Sequence, residues 1–456
     1  MSKPPTLSFF GATGTVTGSR YLLSHRRARA MIDCGLFQGF KQLRLRNWSP
    51  PPIAPAAITS MALTHAHIDH SGYLPIIVRD GYRGRVLCTG GTAELCALLL
   101  PDSGRLQELD AEYANRKGFS KHRPALPLYG EADAMEAVAR LKEVAFDTPR
   151  ELDDDMEIRF IRAGHILGAS SIHLRSRGGS ILFSGDVGRP DDPLMRAPEP
   201  RQASDYLVVE STYGDRKHDR TPPEEALADV INRTHERGGS VIIPAFAVGR
   251  TQLILLLVDR LKAARKIPDL PVFLDSPMAI AATSTFYRHR DTHRLSEKEC
   301  ERMCNASRYI RDAEDSKALD TGDKPMILIS ASGMATGGRI VHHLKALAPD
   351  PRNTILFTGF QAGGTRGAAM VGGAKQIKIH GQYVAVNAEV AALEMLSAHA
   401  DADELIAWLR TCDDKPRHTF VTHGEPAASD ALRRRIQEEL GWAVSVPDYR
   451  DEVALL

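Results

Sequence analysis

Four side chains that readily bind metal ions fall within six residues of one segment. They are His65, His67, Asp69 and His70, and they follow the apolar run 58–63, which has the composition of a strand. Imidazole nitrogens and carboxylate oxygens are typical Zn²⁺ ligands, and catalytic zinc sites use three protein ligands plus a water. His65 and His67, two positions apart, can reach one ion, whereas Asp69 and His70 follow a turn and can face a second. Two ions about 3.5–4 Å apart can hold a bridging hydroxide against a phosphate or a carbonyl group.

The alternative interpretation of this segment is a cluster of surface histidines or an adventitious metal site. A single pair of histidines would favour that alternative. The complete His-x-His-x-Asp-His pattern, placed directly after a strand, disfavours it.

Other apolar runs end in a polar side chain that suits the same site. Strands are predicted at 30–32, 156–163, 180–184, 206–209 and 419–422. The polar residues that follow them, in order, are Asp33, His165, Asp186, Glu210 and His423. Side chains at the ends of neighbouring strands converge at one edge of a sheet, which is where α/β proteins place their sites.

From about residue 221 the pattern changes to a regular alternation of helix and strand, which predicts a parallel sheet and a second α/β domain. Glycine-rich turns follow several of these strands, for example at 332–339 and 359–367. Such turns can present backbone N–H groups and helix N-termini to phosphates. They are also common in α/β folds for steric reasons alone, so each turn by itself is weak evidence.

Composition restricts the class of protein. The chain has 456 residues, of which 43% are hydrophobic, and 58 basic residues balance 57 acidic ones. A polyanionic partner must therefore be held by a local patch of charge. The six cysteines lack framework spacing, the N-terminus lacks an apolar signal segment, and no apolar run is long enough to cross a membrane. These features predict a cytoplasmic protein with reduced thiols and no membrane partner.

Taken in sequence order, these residues resemble the motifs of the metallo-β-lactamase fold. Asp33, the 65–70 segment, His165 and Asp186 match its successive metal-site motifs. Three residues later in the chain match the additional motifs of the β-CASP branch, which contains nucleic-acid nucleases. These residues are Glu210, His399 and His423. The resemblance implies an α/β protein, an αββα sandwich with an inserted parallel α/β cap. The expected segments are 1–210 and 386–456 for the metallo-β-lactamase domain and 211–385 for the β-CASP cap.

The resemblance also implies a function. Members with histidine at the last motif, here His423, act on RNA, and the stretches 332–334 and 337–339 look like those of RNA-processing members, including cleavage-and-polyadenylation endonuclease homologues. The expected activity is that of a zinc-dependent ribonuclease, an endonuclease that cleaves single-stranded RNA with a hydroxide activated by two metals. A 5′→3′ exoribonuclease and a small-molecule hydrolase of the same fold are the alternatives.

Roles for individual residues follow from the resemblance and from ligand chemistry. One ion is expected on His65, His67 and His165 and the other on Asp69, His70 and His423, with Asp186 bridging. Two Zn²⁺ per chain are expected, with Mn²⁺ as the alternative metal, and homo-oligomerisation is left open. The residues expected to act in catalysis are Asp33, Asp69, Glu210 and His399. The residues expected to bind RNA are Arg250, Ser332, Gly337, Gly338, Arg339, Arg366 and Ser397.

Two of the catalytic roles have competing interpretations. Asp33 suits a carboxylate that orients a ligand histidine, but it can also cap the turn before Gly35. Glu210 can hold His399 as an imidazolium, and His399 can then donate a proton to the leaving 3′ oxygen. The competing interpretation of His399 is an ordinary neighbour of a helix N-cap on an exposed turn.

Overall fold

The computed structural model describes residues 4–118, 120–153, 155–322, 324–359 and 361–455. Their contacts divide the chain into two compact units. The first unit combines the N-terminal part up to Lys217 with the part from His399 onward, and the second unit is His218–Ala398. The first unit is therefore built from two stretches that are far apart in sequence.

Two seven-stranded sheets form the centre of the first unit. One sheet has the spatial order β22 (Glu452–Ala454), β1 (Thr6–Phe9), β2 (Tyr21–His25), β3 (Ala28–Ile32), β4 (Ser60–Ala62), β5 (Val86–Cys88), β6 (Leu141–Glu143). The other has the order β21 (Val444–Ser445), β20 (His418–Val421), β11 (Tyr206–Val209), β10 (Gly179–Phe183), β9 (Ser170–Ser176), β8 (Met156–Arg162), β7 (Arg150–Asp153).

Strand direction explains how these sheets present polar residues. Strands β3 to β6 are parallel to one another, and so are β10, β11, β20 and β21. The carboxyl ends of each parallel group therefore lie at one edge of its sheet. Asp33, Asp186 and Glu210 follow such ends directly or within three residues.

The two sheets pack face to face around an apolar core. Phe9 and Leu7 of β1 lie in one buried cluster with Ile158 and Phe160 of β8 and Phe420 of β20. Alternate residues of β8 point into this core, as expected for a strand with one buried face.

Helices accompany both sheets of the first unit. They are α1 (Lys41–Arg46), α2 (Ile68–Ser71), α3 (Leu74–Arg79), α4 (Gly90–Lys117), α5 (Glu131–Val138), α13 (Ala402–Leu409) and α14 (Pro426–Leu440), with 3₁₀ turns at Pro55–Ala57 and, in the second unit, Glu394–Leu396. Val209 and Leu207 of β11 pack with Leu405 of α13 and Ile436 of α14. The result is the helix–sheet–sheet–helix layering that the sequence predicts. Among the helices described, none has the length and apolar character needed to cross a bilayer.

The second unit has a six-stranded sheet in which every described pair is parallel. Its spatial order is β14 (Arg308–Tyr309), β13 (Val272–Leu274), β15 (Ile327–Ser330), β12 (Val241–Pro244), β16 (Thr354–Phe357), β19 (Glu389–Ala392). A separate hairpin joins β17 (Gln376–Ile379) to β18 (Gln382–Ala385). The helices are α6 (Pro223–Glu236), α7 (Arg250–Ala263), α8 (Pro277–Arg288), α9 (Glu297–Asn305), α10 (Ala313–Leu319), α11 (Arg339–Leu347) and α12 (Arg366–Val371).

One feature of this unit differs from the expected segmentation. The expected boundary at residue 385 falls before β19, yet β19 pairs with β16 at the edge of the second unit's sheet. The chain thus returns to this sheet once more before it rejoins the first unit, and the second unit extends to Ala398. The physical reason is that β19 completes the parallel sheet, a pairing that the short sequence Glu389–Ala392 does not reveal by itself.

Candidate metal centre

The 65–70 segment is fixed by backbone hydrogen bonds on both sides. The amides of Cys34 and Leu36 donate to the carbonyls of His70 and Ile68, at 2.7 and 2.9 Å. Only glycine fits at position 35, since a Cβ there would lie 1.6 Å from the Asp69 carbonyl oxygen. The ligand loop is therefore held by close backbone packing, independently of any ion.

A first group of donor atoms meets at His67. Its Nδ1 lies 3.2 Å from His65 Nε2 and 3.2 Å from His165 Nε2. Asp186 Oδ2 lies 3.3 Å from the same nitrogen of His65 and 3.5 Å from that of His165. One ligand atom from each of these four residues fits within a 4.8 Å span. His65, His165 and Asp186 are buried, and His67 is half-buried.

A second group lies beside the first. His70 Nε2 is 3.1 Å from His423 Nε2, and His423 Nε2 is 3.3 Å from Asp69 Oδ2. Asp186 Oδ1 is 3.2 Å from His70 Nε2. Asp186 therefore turns one carboxylate oxygen toward each group.

These donors suit metal ions better than they suit one another. Burial and neighbouring histidines lower the pKa of His65, lower that of His165 well below its ordinary value, and lower that of His67 to about 3. Neutral imidazoles then face one another across 3.2 Å, with few protons available between them. Asp186 Oδ1 is buried beside His70 Nε2, 3.2 Å away. A cation in each group satisfies these atoms, and the mixture of imidazole and carboxylate fits Zn²⁺.

A third combination, Asp186, Glu210 and His423, also has the necessary spacing. Glu210, however, is already engaged. Its Oε1 accepts a 2.6 Å hydrogen bond from the Val187 amide, and its Oε2 accepts one of 3.2 Å from the Thr212 amide. These contacts make Glu210 a poor metal ligand and favour the two groups above.

Asp33 lies behind the second group. Its Oδ2 accepts a 2.7 Å hydrogen bond from His70 Nδ1, and its Oδ1 accepts one of 2.7 Å from the Thr64 amide. The side chain is fully buried. This geometry leaves His70 Nε2 facing the site, which is how a carboxylate orients a ligand imidazole.

Glu210, which is buried, and His399, which is partly exposed, form a pair at the edge of the site. His399 Nδ1 lies 3.1 and 3.2 Å from the two carboxylate oxygens of Glu210, while its Nε2 lies 3.8 Å from Asp186 Oδ2. Burial favours neutral His399, but the carboxylates of Glu210 and Asp186 outweigh it and raise the pKa of His399 to about 9. His399 thus presents a protonated nitrogen toward the metal groups. Asp401 fixes the start of α13 two residues later, accepting hydrogen bonds from two amides.

The residues expected to bind RNA in the second unit have varied environments. Arg339 donates to Asp275 Oδ1 and to the carbonyls of Ile310 and Arg311. Arg366 donates to the Lys378, Ala335 and Thr336 carbonyls. Both guanidinium groups therefore form hydrogen bonds that stabilise the second unit.

The remaining five residues expected to bind RNA have less distinctive environments. Arg250 and Ser397 are buried, and the Ser332 hydroxyl lies 3.0 Å from that of Thr336. A Cβ at Gly337 would meet open space, whereas Gly338 has a φ of +76° that favours glycine. An RNA-binding role for these residues stays a prediction.

The sequence analysis missed two threonines that support the site. Thr64 Oγ1 lies 2.8 Å from Asp33 Oδ2 and 3.1 Å from His65 Nδ1. Thr212 Oγ1 lies 3.1 Å from His423 Nδ1. Their positions in the sequence could have identified them, since Thr64 directly precedes the histidine motif and Thr212 follows Glu210 by two residues.

Three family models match the chain in sequence order. The metallo-β-lactamase superfamily matches residues 13–228, the β-CASP domain matches 251–370, and the Zn-dependent metallo-hydrolase RNA specificity domain matches 383–447. A β-CASP domain inserted into a metallo-β-lactamase domain confirms the predicted fold. A solved structure of a protein of unknown function from Enterococcus faecalis covers 99% of both chains, with a TM-score of 0.53 and 13% identity, which shows a similar fold alone.

Characterised relatives cover nearly the whole chain. A ribonuclease of Thermus thermophilus is 34% identical and covers 91% of this chain and 92% of its own. An RNase J-like protein of Methanocaldococcus jannaschii is 30% identical, with 97% of each chain covered. A transcription termination factor of Methanosarcina mazei is 29% identical and covers 94% of this chain and 68% of its own. The chain therefore belongs to the β-CASP family of metallo-β-lactamase-fold RNA nucleases.

Proposed function

We propose that this protein is a zinc-dependent endoribonuclease that cuts single-stranded RNA internally with two metal ions. His65, His67 and His165 would hold one ion and Asp69, His70 and His423 the other, with Asp186 placed to serve both. The observation that carries the proposal is the Asp186 carboxylate, whose Oδ2 lies 3.3 Å from His65 and whose Oδ1 lies 3.2 Å from His70.

The metal ions and the protein would make different contributions to hydrolysis. Two bound ions lower the pKa of water and neutralise charge on the phosphate. The protein holds the donor atoms in place through Asp33, Thr64 and Thr212, so the site needs little reorganisation when an ion binds. Burial opposes a charged His70, but Asp186 and Asp33 outweigh it and raise the pKa of His70 well above its ordinary value, so His70 would have to lose a proton to serve as a ligand.

His399 is the proton donor in this proposal. Its Nδ1 is held by both oxygens of Glu210, and its Nε2 lies on the side of the ligand groups, 3.8 Å from Asp186 Oδ2. An alkoxide is a poor leaving group at neutral pH, so the departing 3′ oxygen needs a proton. Glu210 acts through His399 and is a positioning residue.

RNA as the substrate is supported by the comparisons and by His423. The matched RNA specificity domain covers residues 383–447 and therefore includes both His399 and His423. The Thermus relative is named a ribonuclease, and a second relative is named RNase J-like. Internal cleavage is favoured by the resemblance of the 332–339 stretch to the endonuclease members.

A circular single-stranded RNA tests this proposal because it has no ends. The holoenzyme is expected to open the circle and then shorten the linear product, and chelation of the metal is expected to stop both. Shortening of linear RNA from its 5′ end with the circle left intact would establish exonuclease action instead. Hydrolysis of a β-lactam or a thioester without RNA cleavage would identify a small-molecule hydrolase.

A further inference from the structure

A short surface segment of the first unit exposes large apolar side chains. This aromatic–basic segment, residues 40–48, comprises α1 and its flanks. Phe40 is 53% exposed, Leu45 52% and Trp48 56%. Side chains of this size are usually covered in a folded protein, and an exposed group of them indicates a binding surface.

The charges of the same segment have one sign. Lys41 and Arg44 are exposed, and neither forms an ion pair with a carboxylate in the described part of the chain. No aspartate or glutamate occurs between Asp33 and Asp69. The segment is therefore locally cationic, although the whole chain is close to neutral.

The inner side of the segment is rigidly anchored. Asn47 accepts a 2.9 Å hydrogen bond from the Phe37 amide and donates one of 2.8 Å to the Phe37 carbonyl. The Arg46 guanidinium lies 4.2 Å from the ring centre of Tyr449. The anchored side consequently fixes the backbone that presents the exposed side chains.

The exposed side alternates aromatic and cationic groups. Phe40, Arg44 and Trp48 are spaced four residues apart, and the Arg44 amide donates to the Phe40 carbonyl at 3.1 Å. Phe40 is the N-cap residue of α1 and Trp48 follows its C-cap residue Asn47, so the two rings flank the short helix that carries Arg44. Lys41 and Leu45 extend the same surface by one position.

The segment starts beside the ligand loop. The Leu36 amide donates to the Ile68 carbonyl at 2.9 Å, and Ile68 lies between two of the metal-binding residues. Four residues lead from Leu36 to Phe40, a distance of at most about 14 Å in an extended chain. A strand of RNA that reaches the metal centre can therefore also reach this surface.

We propose that the aromatic–basic segment is a binding platform for single-stranded RNA, in which bases stack on Phe40 and Trp48 and phosphates contact Lys41 and Arg44. The inference rests on the proposed function and assigns it a substrate subsite. Surfaces that bind single strands combine aromatic rings for the bases with positive charge for the backbone. The segment carries Lys41 and Arg44 without any carboxylate between Asp33 and Asp69, and this charge is complementary to the phosphates of RNA.

Trp48 provides a direct spectroscopic test. The other tryptophans, Trp408 and Trp442, are only 6% and 8% exposed, so acrylamide quenching of emission reports mainly on Trp48. The probe is a single-stranded RNA oligonucleotide with phosphorothioate linkages, which slow its hydrolysis, added to the holoenzyme. RNA is expected to protect Trp48 from acrylamide, and this protection is expected to be lost in Trp48→Phe, which has no reporter at that position.

Affinity measurements test the energetic contribution. Stacking on an aromatic side chain is worth about 1–3 kcal/mol per base, so Trp48→Ala and Phe40→Ala are each expected to weaken RNA binding about 5- to 150-fold. Trp48→Phe retains a ring and should bind within a few-fold of the unaltered protein. Lys41→Ala should reduce the dependence of log affinity on log salt by about 0.7. Tyr383→Ala is the matched control, because Tyr383 is a 72% exposed aromatic residue in the other unit.

Three results would overturn the platform. The first is RNA affinity unchanged in Trp48→Ala, and the second is Trp48 that RNA leaves open to acrylamide. The third is a Trp48→Ala protein that changes its oligomeric state in sedimentation, which would identify a second copy as the occupant.

The tests of the platform and of the proposed function give separate answers. If the protein cleaves RNA while Trp48→Ala alters neither kcat nor KM, the platform is wrong and the function stands. If RNA protects Trp48 in a protein that never cleaves it, the platform stands and the function is wrong. Since Trp48 is exposed, its replacement is not expected to disturb folding, and an unchanged Tm will check this.

Discussion

Replacing His399 by alanine isolates proton donation from metal binding. His399 contributes no atom to either ligand group, and its Nε2 lies 3.8 Å from Asp186 Oδ2. The His399→Ala protein is therefore expected to keep both ions and its affinity for RNA. Its rate of cleavage is expected to fall, because the leaving 3′ oxygen loses its proton donor.

The size of the loss follows from the geometry of the pair. Both oxygens of Glu210 lie within 3.2 Å of His399 Nδ1, so the imidazole is held in one orientation with Nε2 toward the site. A positioned general acid contributes about 10²–10⁴-fold to a rate. The corresponding increase in activation free energy is about 3–5 kcal/mol.

The assay compares two substrates with different leaving groups. On RNA, His399→Ala should lose the full factor in kcat, whereas on a nitrophenyl phosphodiester, whose leaving group needs no proton, the loss should be much smaller. Metal content, measured in parallel, should be unchanged. An equal loss on both substrates would refute proton donation and indicate substrate positioning, and a loss of zinc would make His399 a ligand.

Three further predictions concern the bridging ligand and the second unit. Asp186→Ala should retain well under half of the zinc after dialysis, and retention of two ions would contradict bridging. Arg339→Ala removes a donor from the fully buried Asp275 and should lower the free energy of unfolding by about 1.5–3 kcal/mol; an unchanged Tm with a weaker salt dependence of RNA binding would instead support phosphate contact. Burial opposes a charged His343, but the hydrogen bonds that its ring donates to Asp275 and Asp320 raise its pKa from 6.5 to about 9. The stability that the charged ring adds is therefore complete below pH 6.5 and is lost as the pH rises through 9. Thermal melts should show the largest deficit of His343→Gln below pH 6.5 and a shrinking one toward pH 10, whereas a deficit that is constant with pH would contradict this.

The sequence predicted correctly which side chains lie close together at the candidate metal centre. The structure brings His165, Asp186 and His423 to the 65–70 loop, although hundreds of residues separate the last of these from the loop. Their proximity could be predicted because the residue that follows a parallel strand lies at the edge of the sheet, whatever its distance along the chain. Whether these side chains bind zinc stays a prediction.

Contacts made by long side chains could not be predicted in this way. Arg339 and Arg366 look like phosphate ligands in sequence, since each follows a glycine-rich turn at the start of a helix. In the structure, Asp275 and several backbone carbonyls accept from them, and these acceptors come from distant elements. The direction of a flexible guanidinium depends on such tertiary neighbours, which local sequence does not specify.

Exposure is the other property that the sequence concealed. The 40–48 segment mixes apolar and basic residues, and this pattern alone does not show which side chains are exposed. The exposed rings of Phe40 and Trp48 become evident only in the folded chain. The sequence also did not reveal that the second unit continues past residue 385, because β19 is recognised only by its pairing with β16.

Titration of metal-free protein with zinc, followed by cleavage of circular single-stranded RNA, tests the central claim most directly. Internal cleavage is expected to increase with added zinc and to reach its maximum at about two ions per chain, because both ligand groups must be filled. Full activity at one ion per chain, or cleavage that persists in the presence of a chelator, would contradict a two-metal endoribonuclease.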